Sequence, residues 1–372
     1  MRLAPSISIA FTLLAGCAAD DATPVAPATL THEAYVWQRS WTGPVADAVA
    51  HAPAPLSGLR VLTVELDRTG AAAWPAVDVA ALAHAGRPVT AVVRLDGSRP
   101  LPDLALAPVL DRIAAWQRAG VAVAGVEIDH DCATAALPAY AAWLERRRPP
   151  APLRWSITAL PTWAGAPALP RVAAAVDELV VQVHAVRAPR LFDPDQARAW
   201  LDRFAAAIAP AAAPLRVALP TYQVELDGAR LAADPVEVAA LVRSLERRPI
   251  AAVRGVVWFR LPVATDRAAW PAPTLAAVIA GAPLAPAIEV RLVARGPDLH
   301  DVVVENRGTL AGRWPELRVD GALAAADRLG GYTADASDPR RWSPPPRDLP
   351  AGDLAVVGWV RGQELTVHAN PR

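Results

Sequence analysis

Gly125-Val126-Glu127-Ile128-Asp129-His130-Asp131 reads as a strand with two unlike faces. Side chains alternate along an extended chain, so Glu127, Asp129 and Asp131 share one face while Val126 and Ile128 share the other. The apolar face packs outward against helices. The acidic face then points inward, toward a shared mouth, if the strand is one stave of a parallel barrel.

The flanking sequence repeats this unit. Short runs rich in Val, Leu and Ile occur around 34–38, 59–66, 89–95, 121–128, 153–159, 179–183, 215–219 and 253–259. Ala-rich segments of helical period lie between them, among them 106–118, 135–147, 194–209 and 235–247, several opened by Asp or Pro and closed by Arg or Pro. Eight alternations over about 250 residues match a (β/α)8 barrel in count and length. An open doubly wound sheet is the alternative, but no glycine-rich phosphate turn follows the first strand. After Pro286 the texture changes to alternating runs such as Ile288–Val293 and Leu354–Trp359 with Gly and Pro turns, which predicts a small β-sandwich-like domain. The expected divisions are a signal peptide over 1–16, a tether over 17–31, the barrel over 32–284 and the β-rich domain over 285–372.

Composition narrows the chemistry. The 372 residues are 53% hydrophobic and 20% charged, enough to bury one large core and a smaller one. The chain has no lysine, so all 37 basic residues are arginine, balanced by 37 Asp and Glu. Schiff-base aldolases, pyridoxal enzymes and P-loop nucleotidases all need a lysine amine and are excluded. Zero net charge and a pI near 7.1 leave no electrostatic footprint for nucleic acid.

The N-terminus carries an address. Arg2 precedes an apolar run from Ile7 to Leu14, too short to span a bilayer, and Leu14-Ala15-Gly16-Cys17 follows. This resembles a bacterial lipobox, which implies lipidation of Cys17 and membrane attachment through that anchor. The absence of an aspartate beside the cysteine implies outer-membrane sorting, facing the periplasm. With Cys17 consumed as a thioether, Cys132 has no partner for a disulfide.

Candidate chemistry gathers at strand ends, because the βα loops there surround one mouth. Three crowded carboxylates raise at least one pKa, leaving a protonated acid beside an ionised base, the pairing that glycosidic cleavage uses. Asp131, Asp129 and Glu127 are therefore the candidate catalytic residues. Other strand ends add Trp37, Arg39, Asp67, Arg94, Trp163, Gln182, His184, Tyr222, Trp258 and Arg260 as candidate substrate-binding residues. Tryptophan faces stack on sugar rings, and carboxylates and arginines bind hydroxyls. Each has a structural alternative: barrel packing for the tryptophans, neutralisation of the acids for Arg94 and Arg260, a hydrogen-bonded core role for His184. Glu127, Asp129, Asp131, Asp67 and His184 are also the residue types that hold calcium or magnesium. Zinc spacing of the HExxH kind is missing, as is a G-x-S-x-G serine elbow. No cofactor and no metal are expected.

The strand of Glu127, Asp129 and Asp131 resembles the signature of chitinase-type glycoside hydrolases of family eighteen, which have acidic residues at every second position leading to a catalytic glutamate. The resemblance implies supporting roles for Glu127 and Asp129 and a general-acid role for Asp131. Ala124 departs from that signature, the acid is the shorter aspartate, and Val181-Gln182-Val183-His184 lacks the family's tyrosine and aspartate. Trp258 falls where those enzymes have the floor of the sugar subsite. Over most of its length the chain resembles a bacterial family known as domain of unknown function 3142, in Tyr35-Val36-Trp37-Gln38-Arg39, in Glu127–Asp131 and in Leu160-Pro161-Thr162-Trp163. Together these imply an envelope lipoprotein with a glycoside-hydrolase-like barrel that acts on or binds a polysaccharide. The alternative is a non-catalytic saccharide-binding or envelope-assembly lipoprotein on a decayed hydrolase barrel.

Overall fold

The computed structural model describes residues 29–97, 106–185 and 189–370. Eight strands form one closed parallel sheet: β1 (Thr31–Val36), β2 (Leu56–Leu66), β3 (Val89–Leu95), β4 (Val123–His130), β5 (Arg154–Ala159), β6 (Glu178–Gln182), β7 (Leu215–Pro220) and β8 (Val253–Phe259). Each pairs with its sequence neighbour. Parallel pairing of β1 with both β2 and β8 closes the ring, so the fold is a (β/α)8 barrel.

One helix follows each strand: α1 (Gly43–Ala50), α2 (Val79–Ala85), α3 (Ala107–Arg118), α4 (Leu137–Arg146), α5 (Leu169–Ala174), α6 (Pro194–Ile208), α7 (Pro235–Arg247) and α8 (Ala272–Ala280). Their starts follow from local chemistry. Asp78, Asp193 and Asp234 each accept a backbone N–H of the first turn, and Pro194 and Pro235 sit where a missing N–H costs nothing. The helices cover the outward strand residues, Val126 and Ile128 among them, in one apolar layer.

The barrel interior is built differently. Toward the N-terminal ends of the strands lie Glu33, Arg60, Glu127, Glu178 and Arg216, all joined by ion pairs. Gly255 makes room for them, because a Cβ there would collide with the Arg216 guanidinium and with Thr31. Above this ionic floor Tyr35, Val92, Val180, Ala218 and Val257 form a small apolar belt, and Trp37 and Phe259 pack onto it from the mouth side. The floor and belt fill the barrel, leaving its chemistry at one end.

Beyond the barrel, β9 (Ile288–Ala294), β10 (Leu299–Asn306), β11 (Glu316–Arg328), β12 (Thr333–Ala334), β13 (Arg341–Ser343) and β14 (Leu354–Asn370) form an antiparallel sheet in the order β9-β10-β14-β11-β13-β12. A two-stranded piece, Gly312–Arg313 with Asp348–Leu349, accompanies it. Its own core holds Val302, Val304, Leu317, Val319, Trp342 and Val357. The linkage to the barrel is polar. Thr274 donates to the Thr309 carbonyl at 2.7 Å, and the Thr309 hydroxyl donates to the Pro283 carbonyl at 2.8 Å.

Candidate functional site

Strand β4 carries its three carboxylates inward, and they grade from sealed to open. The Glu127 side chain is 0% exposed, that of Asp129 6% and that of Asp131 45%. This gradient separates their chemistry. Glu127 belongs to the floor, where the Arg60 guanidinium pairs with one oxygen and the Tyr35 hydroxyl donates to the other at 2.7 Å. Burial pushes its carboxyl above the usual carboxylate range, and Arg60 opposes the shift. Glu127 thus lies in the sealed floor, below the open end of the strand.

Asp129 and Asp131 share one cation. Arg94, inward on β3, donates through Nη1 to Asp129 Oδ2 and through Nη2 to Asp131 Oδ2, each at 2.8 Å. Thr158 on β5 donates to the other Asp129 oxygen at 2.7 Å. Burial raises the Asp129 pKa, with Arg94 and Thr158 pulling it back. The raised carboxyl expected from mutual repulsion therefore arises at Asp129, and from desolvation first. Nearly half of the Asp131 side-chain surface is open at the mouth.

A second arginine pair stands next to this one. The register of β2 slips between Leu62 and Val64, so that Glu65, rather than Val64, aligns with Arg94. Arg39 grips Glu65 through two bonds of 2.6 Å. Glu65, a strand-end residue in the sequence, reaches the mouth by this slip, where a regular alternation from Arg60 puts it on the outward face.

The aromatic residues are distributed differently from expectation. Trp258 and Trp163 are wholly buried and cannot present a face to a sugar. Trp258 points outward, stacking on His32 at 5.9 Å, because Gly255 and Val257 set the inward parity of β8. Trp163 anchors the loop after β5 by donating from Nε1 to the Cys132 carbonyl at 2.9 Å. The partly exposed aromatic surface at the mouth comes from Trp37 and Phe259, edge to face at 5.3 Å, with His184 and Tyr222 packed around Phe259. Burial holds the His184 imidazole down at about 4, so it is neutral near pH 7, and raises the Tyr222 hydroxyl to about 12.

The remaining candidates divide. Gln182 is half-buried at the end of β6. Asp67 spends Oδ1 on Thr69 and the Ala71 N–H in a tight turn. Arg260 binds Asp266 at 2.6 Å within its own loop, and so neutralises none of the strand-end acids. Cys132 is buried with its thiol raised to about 11, unsuited to nucleophilic work. Among the described residues no group of three or more His, Cys, Asp and Glu is arranged to hold a metal. Cys17 lies outside the described residues.

Known proteins with similar folds were compared with this geometry. The spore cortex-lytic enzyme SleL of Bacillus cereus has 11% identity and a TM-score of 0.45, covering 64% of this chain and 72% of that one. A chitinase of Rhizomucor miehei has 11% identity and a TM-score of 0.43, covering 62% and 94%. A xylanase and alpha-amylase inhibitor protein of Scadoxus multiflorus has 10% identity and a TM-score of 0.44, covering 69% and 100%. These are likenesses of fold alone. Curated protein sequences give no match. At the level of sequence families, residues 85–230, from the end of α2 through the strand-end acids to the loop beyond β7, match one model. That segment is similar to the family described as domain of unknown function (DUF3142).

Proposed function

We propose that the mouth of the barrel binds a saccharide of the cell envelope, with Asp131 the carboxylate that meets its hydroxyls. The supporting observation is the Arg94 clamp, which holds Asp131 over buried Asp129 and keeps it half exposed at a mouth whose partly exposed rings are Trp37 and Phe259. A carboxylate fixed by an arginine accepts hydrogen bonds from hydroxyls, and an aromatic ring at the mouth packs on the C–H surface of a sugar. In this reading a lipid on Cys17 holds the chain at the outer membrane, facing the periplasm.

Hydrolysis of a glycosidic bond is a second reading, favoured by two carboxylates adjacent on one cation. The test is calorimetric titration and a turnover assay with chitin, peptidoglycan and exopolysaccharide fragments, on wild type and Asp131→Asn. Binding without turnover, weakened about tenfold or more by the substitution, is the expected result for loss of a charged hydrogen-bonding partner. Turnover abolished by it establishes the second reading. No binding to any fragment refutes both.

A further inference from the structure

We propose that the end of the barrel opposite the mouth is a docking face for a bilayer containing anionic phospholipid, so that the mouth points away from the membrane. The inference goes beyond the saccharide reading and takes from the anchor on Cys17 only the side from which the bilayer comes.

The eight strands are parallel, so all begin at one end of the barrel, and the helices finish there. That end is lined with arginine. Arg118, Arg146 and Arg247 are the last residues of α3, α4 and α7, Arg248 follows α7, and Arg254 is the second residue of β8. All five are exposed, and among the described residues no carboxylate pairs with any of them. The carboxylates at this end are already matched: Glu145 to Arg171 and Glu246 to Arg243, each at 2.7 Å, Asp177 to Arg148, and Asp47 to His51. The mouth end has the opposite bias, with Asp193, Asp195 and Asp234 at helix starts and Asp96 and Asp131 just past β3 and β4. A net charge of zero thus conceals a separation of charge along the barrel axis. An arginine in a last turn suits the helix dipole, which accounts for Arg118, Arg146 and Arg247 one at a time but not for Arg254 on a strand.

Where the chain enters the barrel decides what covers this face. Leu30 is buried and Thr31 pairs with Gly255 at the start of β8, so residues 1–28 attach at the arginine end. Extended chain covers at most about 3.5 Å per residue, which keeps Cys17 within about 45 Å of Leu30. The mouth lies farther away by the height of the barrel, about the ~22 Å length of α6. The arginine end is therefore the first surface that a bilayer holding Cys17 reaches. Phosphate headgroups accept paired hydrogen bonds from a guanidinium, and a negative surface attracts this end while repelling the acidic mouth. Each arginine near such a surface is worth roughly fivefold in binding.

The experiment measures binding of the full chain with Cys17→Ser, which can take no lipid, to vesicles of phosphatidylcholine with and without phosphatidylglycerol. Two triple variants on that background are compared, with circular dichroism to verify each fold. One carries Arg146→Gln, Arg247→Gln and Arg254→Gln; the other, a control of equal charge change, carries Arg68→Gln, Arg230→Gln and Arg313→Gln, exposed arginines away from this face. Phosphatidylglycerol should strengthen binding about tenfold or more, and that gain should be lost in the first variant and kept in the control. Equal binding to both kinds of vesicle, or an equal loss in both variants, overturns the docking face. Tighter binding to a soluble sulfated polysaccharide than to vesicles of equal charge also overturns it, since the occupant is then an acidic glycan. Failure of the anchor is read separately, from the absence of lipid on Cys17 of the wild type.

Discussion

Replacing Arg60 by methionine isolates the ionic floor of the barrel. Arg60 is 2% exposed and pairs with Glu33 and Glu178 at 2.6 Å each, as well as with Glu127. The three carboxylates do not suffer equally when it is removed. Arg216 still reaches Glu33 at 3.1 Å and Glu178 at 2.8 Å. Glu127 retains only the Tyr35 hydroxyl at 2.7 Å and a long contact from Ser156 at 3.4 Å. One buried carboxylate is therefore stranded, at a cost of about 3–5 kcal/mol rather than a multiple of it. That is a large share of the ~5–15 kcal/mol that holds a typical domain together.

Urea unfolding followed by tryptophan fluorescence measures the loss. Adding Glu127→Gln to Arg60→Met should recover about 2 kcal/mol or more, because a neutral amide still accepts from Tyr35. The pH dependence has a definite sign. Burial already raises Glu127, and loss of its cation raises it further. A carboxylate whose folded pKa exceeds its unfolded one binds more protons when folded, so stability falls as pH rises through that window. The deficit of Arg60→Met relative to wild type should thus be smaller at pH 5 than at pH 8. A single-variant cost below about 1 kcal/mol, a double variant no more stable than the single, or equal deficits at both pH values would refute the argument.

Two further outcomes are expected. His32 and His184 are both held down at about 4 by burial, so the unfolded chain takes up protons first, and stability should fall as pH drops from about 6.5 toward 4; replacing both by glutamine should flatten that part of the urea-midpoint profile, and an unchanged slope counts against it. Intact-mass analysis of the membrane fraction should show cleavage before Cys17 and added acyl chains, abolished by Cys17→Ser, whereas a soluble, unmodified wild type removes the anchor.

Much of the barrel was legible because its signals are local. A period of two with apolar residues on the outer face, alternating with Ala-rich helices started by Asp or Pro, identifies each βα unit without reference to any other. The inward direction of Glu127, Asp129 and Asp131 follows from the same alternation, as the structure bears out. The lysine-free composition also survives into three dimensions, since the cations that meet these acids, Arg60 and Arg94, keep their charge at any ordinary pH.

What alternation alone does not give is depth and phase. Glu127 and Asp131 look alike in the sequence and lie four residues apart, yet one is sealed in the floor and the other reaches solvent, because their heights along the barrel axis differ. Trp258, expected at the mouth, points outward and Phe259 packs on the inner belt, because a glycine on β8, made necessary by Arg216 from β7, sets which of the two points inward. Glu65 enters the mouth through a register slip in β2 that only pairing with β3 reveals. Sequence by itself determined the set of chemical groups and the face each occupies, because those depend on neighbours two residues away. Tertiary structure decided which of those groups are free, because pairing across strands dozens of residues apart assigns the arginines to some carboxylates and leaves Asp131 partly open.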